Sequence, residues 1–139
     1  MSRRSSLFSL FLLPPLAALL ASPILRHQAQ AETAGTPLTR PAGYKPEKKV
    51  VRMWDSKCAT CHGEDGRGHT EQGKEMGIDD MTKAPYWKDV TVERARKFVL
   101  EGLKRTLNGK DQEMKPFGDR LTPHQVDALN LYAVSFFKK

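Results

Sequence analysis

Two cysteines and the histidine beside them form the one stretch of this chain whose spacing points to a specific chemistry. Cys58 and Cys61 are the only cysteines in the sequence, they lie three residues apart, and His62 follows directly. Two thiols at this spacing can each add to one vinyl group of the same porphyrin, which leaves the next imidazole able to ligate the iron. The motif therefore predicts one haem c, attached covalently through both thiols, with His62 as an axial ligand.

Three other chemistries use cysteines at this spacing. A zinc site needs about four protein ligands, and His27, His69 and His124 each stand alone. A thioredoxin-like pair would follow a buried β-branched strand, and no such strand precedes Cys58. A structural disulfide between Cys58 and Cys61 would close a loop too short to stabilise the fold much. Haem attachment is the interpretation that also uses the adjacent histidine.

The first 31 residues have the pattern of an export signal. Arg3 and Arg4 form a basic start, residues 7–25 are an uncharged apolar run, and residues 29–31 fit the small-x-small rule for signal peptidase. We predict cleavage after Ala31 and a periplasmic protein. An uncleaved membrane anchor is the alternative, although two consecutive prolines interrupt the run.

The charge balance of the remaining chain is modestly positive. The whole sequence has 23 Lys and Arg against 16 Asp and Glu, and residues 1–31 hold three of the basic residues and none of the acidic ones. The formal charge after cleavage is therefore +4, which suggests docking to redox proteins with acidic surfaces. No basic cluster alternates with aromatic side chains, which argues against a nucleic-acid partner. We expect a monomer with a single domain at residues 47–139.

The segments around the motif predict helices joined by long loops. Residues 32–46 hold three prolines and two glycines and predict a flexible arm. A first helix is predicted at about 47–58, and a middle helix starts after the N-cap Thr91 with an apolar stripe that reaches Leu103. The last helix has Thr122 as its N-cap, with a proline at its first position and a glutamine that completes a capping box. No strand of clear alternation is present, so we predict an all-α fold of three to five helices around one haem.

The iron needs a second axial ligand from the other side of the haem. The candidates are Met53, Met76, Met81, Met114, His69 and His124. Met114 stands out because segment 113–118 is polar and rich in turn residues, so that periodicity gives no reason for a buried apolar side chain there. Pro116 would also stiffen this loop. Met76 and Met81 stay open as alternatives. Met53 lies on the helix that leads into the haem motif, and both histidines are expected to be exposed.

Together these residues resemble the class I (mitochondrial-type) monohaem cytochromes c of the bacterial periplasm. The shared features are the motif that ends at His62, the following Gly63, the pattern Met114-x-Pro116-Phe117, and the closing segment 121–132. They cover about residues 47–137. The resemblance implies a small cytochrome c fold and an electron carrier, not an enzyme, with His62 and Met114 as the iron ligands.

The resemblance also implies how the first and last helices cross. Trp54 would pack there with Leu129 and Tyr132. This chain departs from the family by having Val50 where many members have a glycine at the crossing, and Lys115 between the ligand methionine and the proline. The family's proline carbonyl that orients the proximal histidine has no assigned counterpart in 63–77.

Partner proteins would meet the exposed haem edge in a weak, salt-sensitive encounter. The lysines that could ring this edge are Lys57, Lys83, Lys110 and Lys115. Two other functions stay open at this point. The domain could be a haem-based sensor or small peroxidase if the sixth position is free, or a dedicated cytochrome subunit of a larger redox enzyme.

Overall fold

The computed structural model describes residues 35–138. The predicted signal peptide at 1–31 and the first residues of the predicted arm, 32–34, lie outside the described residues. Within the described part no helix is both long and apolar enough to cross a lipid bilayer.

Residues 35–138 form six helical segments and one β-hairpin. The helical segments are α1 (Lys48–Lys57), α2 (Ala59–His62), α3 (Glu71–Met76), α4 (Ala84–Trp87), α5 (Val92–Glu101) and α6 (Pro123–Ser135), and strands β1 (Leu103–Leu107) and β2 (Lys110–Met114) lie between α5 and α6. The fold is mostly helical, as predicted. The number of helical segments exceeds the three to five expected, because the loops contain single helical turns such as α2 and α4.

The two helix starts predicted from capping signals are confirmed. The Thr91 hydroxyl accepts a hydrogen bond of 3.2 Å from the Arg94 backbone N–H at the start of α5. At the start of α6 the Thr122 hydroxyl accepts from the Gln125 N–H, and the Gln125 side chain accepts from the Thr122 N–H. These caps formed as predicted because each one depends on residues only three positions apart.

Helices α1 and α6 pack against each other through aromatic side chains. Trp54 is 3% exposed, and its ring lies 5.7 Å from that of Tyr132 in an edge-on arrangement and 5.2 Å from that of Phe136. Leu129 belongs to the same buried cluster, as does Val50. The packing of Trp54 with Leu129 and Tyr132 that the resemblance implied is therefore confirmed, with Val50 buried where many relatives have a glycine.

The hairpin of β1 and β2 corrects the prediction of an all-α fold. Helix α5 ends at Glu101, so the middle helix does not reach Leu103, which instead starts β1 opposite Met114. The two strands are joined by Asn108-Gly109, both with positive φ (52° and 74°). This dipeptide favours the two-residue hairpin turn, because the twist of that turn matches the twist of the strands. The Asn-Gly signal for a hairpin was therefore present in the sequence, and the all-α prediction did not use it.

The predicted flexible arm is anchored to the domain at residues 36–38. Backbone hydrogen bonds of 3.0 and 2.9 Å join this segment to residues 90–92. The Leu38 side chain is buried against Ala95 and Val134 in a second, smaller core cluster. The composition of the arm did not indicate this contact, because one apolar residue among prolines and glycines has no periodic pattern.

Candidate functional site

A cavity of about 630 Å³ is lined by residues of all six helical segments and of the hairpin. Cys58, Cys61, His62 and Met114 all line it, so the fold brings the four sequence-predicted site residues together. Apolar side chains of α5 and α6, among them Leu129, form part of the wall. The volume lies within the range of about 300–1,000 Å³ that is common for cofactor sites.

The two thiols that line this cavity are unpaired and partly buried. Burial raises the pKa of Cys58 to about 12, and burial also raises the pKa of Cys61. Reactive C-x-x-C pairs have lowered pKa values instead, because the thiolate is the nucleophile. The pair is therefore unlike a dithiol redox site, and both thiols are neutral at neutral pH.

The imidazole of His62 is held from one side by Trp54. The two ring centroids are 5.9 Å apart, and the Trp54 indole N–H donates a buried hydrogen bond of 2.9 Å to the Gly63 carbonyl. The Nδ1 atom of His62 is buried and has no hydrogen-bond partner among residues 35–138. Burial lowers the pKa of His62 to about 4, because the charged form loses its hydration. A neutral imidazole is the form that ligates a metal.

Helix α3 contacts the cysteine motif at the Cys61 carbonyl. The Thr70 hydroxyl, which caps α3, donates 3.0 Å to the Cys61 carbonyl and accepts 2.9 Å from the Gly73 N–H. A Cβ atom at Gly73 would lie 2.5 Å from the Cys61 carbonyl oxygen, so only glycine allows this approach of α3. The Gln72 side chain accepts a hydrogen bond of 3.2 Å from the Cys61 thiol.

The candidates for the second axial ligand separate into two groups. Met76, Met81 and Met114 line the cavity, whereas Met53, His69 and His124 are not among its lining residues. His69 and His124 are exposed, as predicted. Met81 is 5% exposed and belongs to the main core cluster.

A glycine makes room for the segment that carries Met114. Gly102 has a φ of +78°, and a Cβ atom there would collide with the Met114 carbonyl oxygen and lie 3.0 Å from the Pro116 nitrogen. The end of β2 therefore reaches the cavity only because α5 stops at a residue without a side chain.

Tyr86, Gln112 and Asn130 are among the polar residues at the cavity that sequence analysis did not predict. Burial raises the pKa of Tyr86 to about 12. Asn130 is 9% exposed, and its Nδ2 atom has no hydrogen-bond partner within the described part of the chain. Asn130 interrupts the buried face of α6 between Leu129 and Ala133, and this polar residue among apolar ones was the available signal.

Comparison with known proteins shows to which family the chain belongs. A family model described as cytochrome c matches residues 47–135, which is more than half of the chain. The chain belongs to the cytochrome c family. It is also 30% identical over 90 residues to the protein described as cbb3-type cytochrome c oxidase subunit FixP, from Azorhizobium caulinodans. That match covers 61% of this chain and 25% of the relative, so the chain spans about a quarter of the length of FixP.

Two solved structures resemble the domain. The KustC0563 c-type cytochrome superposes with a TM-score of 0.53 at 29% identity, over 64% of this chain and 98% of that one. A mutant of the same protein, with one tyrosine replaced by phenylalanine, gives a TM-score of 0.51 at 29% identity, over 63% and 96% of the two chains. Both matches support the cytochrome c fold.

Membership of this family implies a covalently bound haem c with iron, and the residues at the cavity fit that group. The two thiols are free to form thioethers, and His62 lines the cavity in the neutral form that ligates a metal. Most of the cavity wall is apolar, which suits a porphyrin. Cys58 and Cys61 would hold the haem, and His62 would ligate its iron. Haem-based electron transfer is the function that the family supports.

Proposed function

We propose that this protein is a class I monohaem cytochrome c that carries one electron between redox proteins, with His62 and Met114 as the axial ligands. The observation that carries the proposal is that one cavity is lined by both thiols, His62 and Met114. When bound, the haem supplies an iron that cycles between the ferrous and ferric states. The chain makes no bond to a substrate in this role, so it is not an enzyme.

The choice of Met114 over the other cavity methionines rests on the elements that carry them. Met76 ends α3, which packs against α2 at the cysteine motif and also against β2. The Met81 N–H donates 2.9 Å to the Gly66 carbonyl, four residues after His62. Both methionines thus belong to the segment that surrounds the attachment motif. Met114 comes from the hairpin, a separate element, and is the candidate for the opposite side.

The residues around the iron also determine the reduction potential. A thioether sulfur is a soft ligand that favours ferrous iron, so Met114 would raise the potential above that of a bis-histidine site. Apolar walls disfavour the extra positive charge of ferric iron and act in the same direction. Partners with acidic surfaces would meet the lysines beside the cavity. Of the four lysines predicted to ring it, Lys57 and Lys115 are exposed and line the opening.

The substitution Met114→Ala tests the ligand assignment. We expect the ferric protein to lose its weak absorption band at the red end of the spectrum and the potential to fall, because the iron–sulfur bond is lost. Met76→Ala and Met81→Ala are matched controls that should affect packing only. If Met114→Ala keeps the band and one of the controls loses it, the assignment is wrong. Carbon monoxide binding to the reduced wild type at neutral pH would instead favour a sensor or peroxidase with an open sixth position.

A dedicated subunit of a larger redox enzyme is the second candidate, since the chain is similar to part of an oxidase subunit. Copurification of the tagged protein with an oxidase or dehydrogenase would support it, and isolation as a free monomer would support the shuttle. We also propose export to the periplasm with cleavage after Ala31. N-terminal sequencing of the mature protein should then begin at Glu32, and a sequence that begins at Met1 would indicate a retained anchor.

A further inference from the structure

A buried amide lies two residues before Met114 on the same strand. Gln112 is 7% exposed, although glutamine is usually a surface residue. Its Nε2 donates a hydrogen bond of 2.6 Å to the Gly77 carbonyl, and its Oε1 accepts one of 2.8 Å from the Arg105 Nε. Side chains alternate along a strand, so Gln112 and Met114 share the face of β2 that lines the cavity.

The partners of Gln112 belong to two different elements. Arg105 lies directly opposite Gln112 on β1, and its second guanidinium nitrogen donates 3.2 Å to the Asp79 carboxylate. Gly77 and Asp79 are in the loop that follows α3. Gln112 and Arg105 therefore tie the inner face of the hairpin to this loop by two hydrogen bonds, and a third joins the two side chains to each other. We refer to these two side chains as the hairpin latch.

The loop that receives the latch is itself fixed to the cysteine motif. The Ile78 N–H donates a hydrogen bond of 2.8 Å to the Gly73 carbonyl within α3. Helix α3 is in turn held to the Cys61 carbonyl by Thr70 and by the close approach at Gly73. A continuous set of hydrogen bonds and contacts thus leads from the haem attachment motif to the strand that ends at Met114.

We propose that Gln112 is a positioning residue, which together with Arg105 keeps Met114 at the iron. The proposal rests on the proposed function, since it requires Met114 to be the sixth ligand. The hairpin has only two strands, and the chain that continues after Met114 is a loop. Without the latch, β2 would be held by the ladder to β1, by the Lys110 Nζ hydrogen bond to the Lys74 carbonyl and by the loop after Met114, which is hydrogen-bonded to α5. The open state, in which the sulfur has left the iron, would then be populated more often.

Imidazole titration of the ferric holoprotein measures the open state, because imidazole competes with the methionine for the iron. Its apparent affinity is proportional to the fraction of protein in which the sixth position is free. We expect Gln112→Leu to bind imidazole about tenfold more tightly than the wild type. The matched control is Thr106→Val, which removes the exposed 2.7 Å hydrogen bond to Asp111 across the same hairpin without touching the loop after α3. This variant should titrate like the wild type.

The variant Arg105→Met provides a second measurement, because it removes only the outer hydrogen bonds of the latch. It should also bind imidazole more tightly than the wild type. The increase in imidazole affinity of the double variant should be smaller than the product of the two single increases, since both residues act in one network. If Gln112→Leu does not fold with haem, Arg105→Met decides the question by the same criterion. The proposal would be overturned if the latch variants bound imidazole with the affinity of the wild type. It would also be overturned if Thr106→Val raised the imidazole affinity as much as the latch variants do.

The substitution Met114→Ala separates a failure of this inference from a failure of the proposed function. Imidazole should bind this variant far more tightly than the wild type if Met114 is the sixth ligand. If it does so while the latch variants titrate like the wild type, only the latch is wrong. If Met114→Ala itself titrates like the wild type, the ligand assignment fails and the latch fails with it.

Discussion

Removal of the haem should unfold this domain. The cavity that the haem would fill has a volume of about 630 Å³. At about 24 cal/mol for each Å³ of empty core, a cavity of this size would cost about 15 kcal/mol. This is an upper bound, because water would enter from the open side. It nevertheless matches or exceeds the whole stability of about 5–15 kcal/mol that a small domain has. We therefore predict that the fold requires the free energy of haem binding.

The double substitution Cys58→Ala with Cys61→Ala is the perturbation of choice, with the absence of haem absorption verified in the purified protein. Loss of the two sulfur atoms alone should cost only about 1 kcal/mol each, by analogy with the deletion of single methyl groups. We expect far-ultraviolet circular dichroism to show strongly reduced helix content and no cooperative melting. The control is Cys58→Ala alone, which loses one sulfur but retains the haem through Cys61. A haem-free double variant that melts cooperatively with native helix content would refute the reasoning.

Three further predictions concern the covalent attachment of the haem, the glycine beside Met114 and the ion pair between Arg96 and Asp127. Acid-acetone extraction should leave the haem colour with the polypeptide, and extraction of the colour into the solvent would contradict the covalent attachment. Gly102→Ala should weaken the red absorption band, because its Cβ would displace the Met114 carbonyl. Gly109→Ala also places a side chain at positive φ (+74°), but its Cβ meets no atom within 4 Å and this variant should keep the band. The Arg96 guanidinium holds the pKa of Asp127 below its usual value through a hydrogen bond of 2.6 Å. This pair therefore stabilises the folded state at pH values above the usual carboxyl pKa. The stabilisation is lost as the pH falls through the lower pKa that Asp127 has in the folded state. NMR titration of Arg96→Gln should show the Asp127 pKa shifted upward, and acid unfolding of this variant should differ from the wild type less at pH 3 than at pH 7.

The sequence alone determined those features whose physics is local. The cysteine spacing is sufficient to predict thioether attachment, because the two thiols and the histidine lie within five consecutive residues. The caps at Thr91 and Thr122 depend on hydrogen bonds to residues three positions away, so they could be read directly. The turn at Asn108-Gly109 was equally local, and this dipeptide by itself indicated a hairpin.

Tertiary structure decided the features that depend on residues far apart in the chain. Three methionines line one cavity, and only the folded chain shows their arrangement, in which α3 ends at Met76 and packs on both α2 and the strand that carries Met114. Gln112 is an ordinary polar residue in the sequence, and it becomes a buried link only because the loop after α3 presents the Gly77 carbonyl 35 positions away. Leu38 is buried for the same kind of reason, since α5 and α6 provide its contacts. Contacts of this kind arise from chain folding, and no periodic pattern along the sequence encodes them.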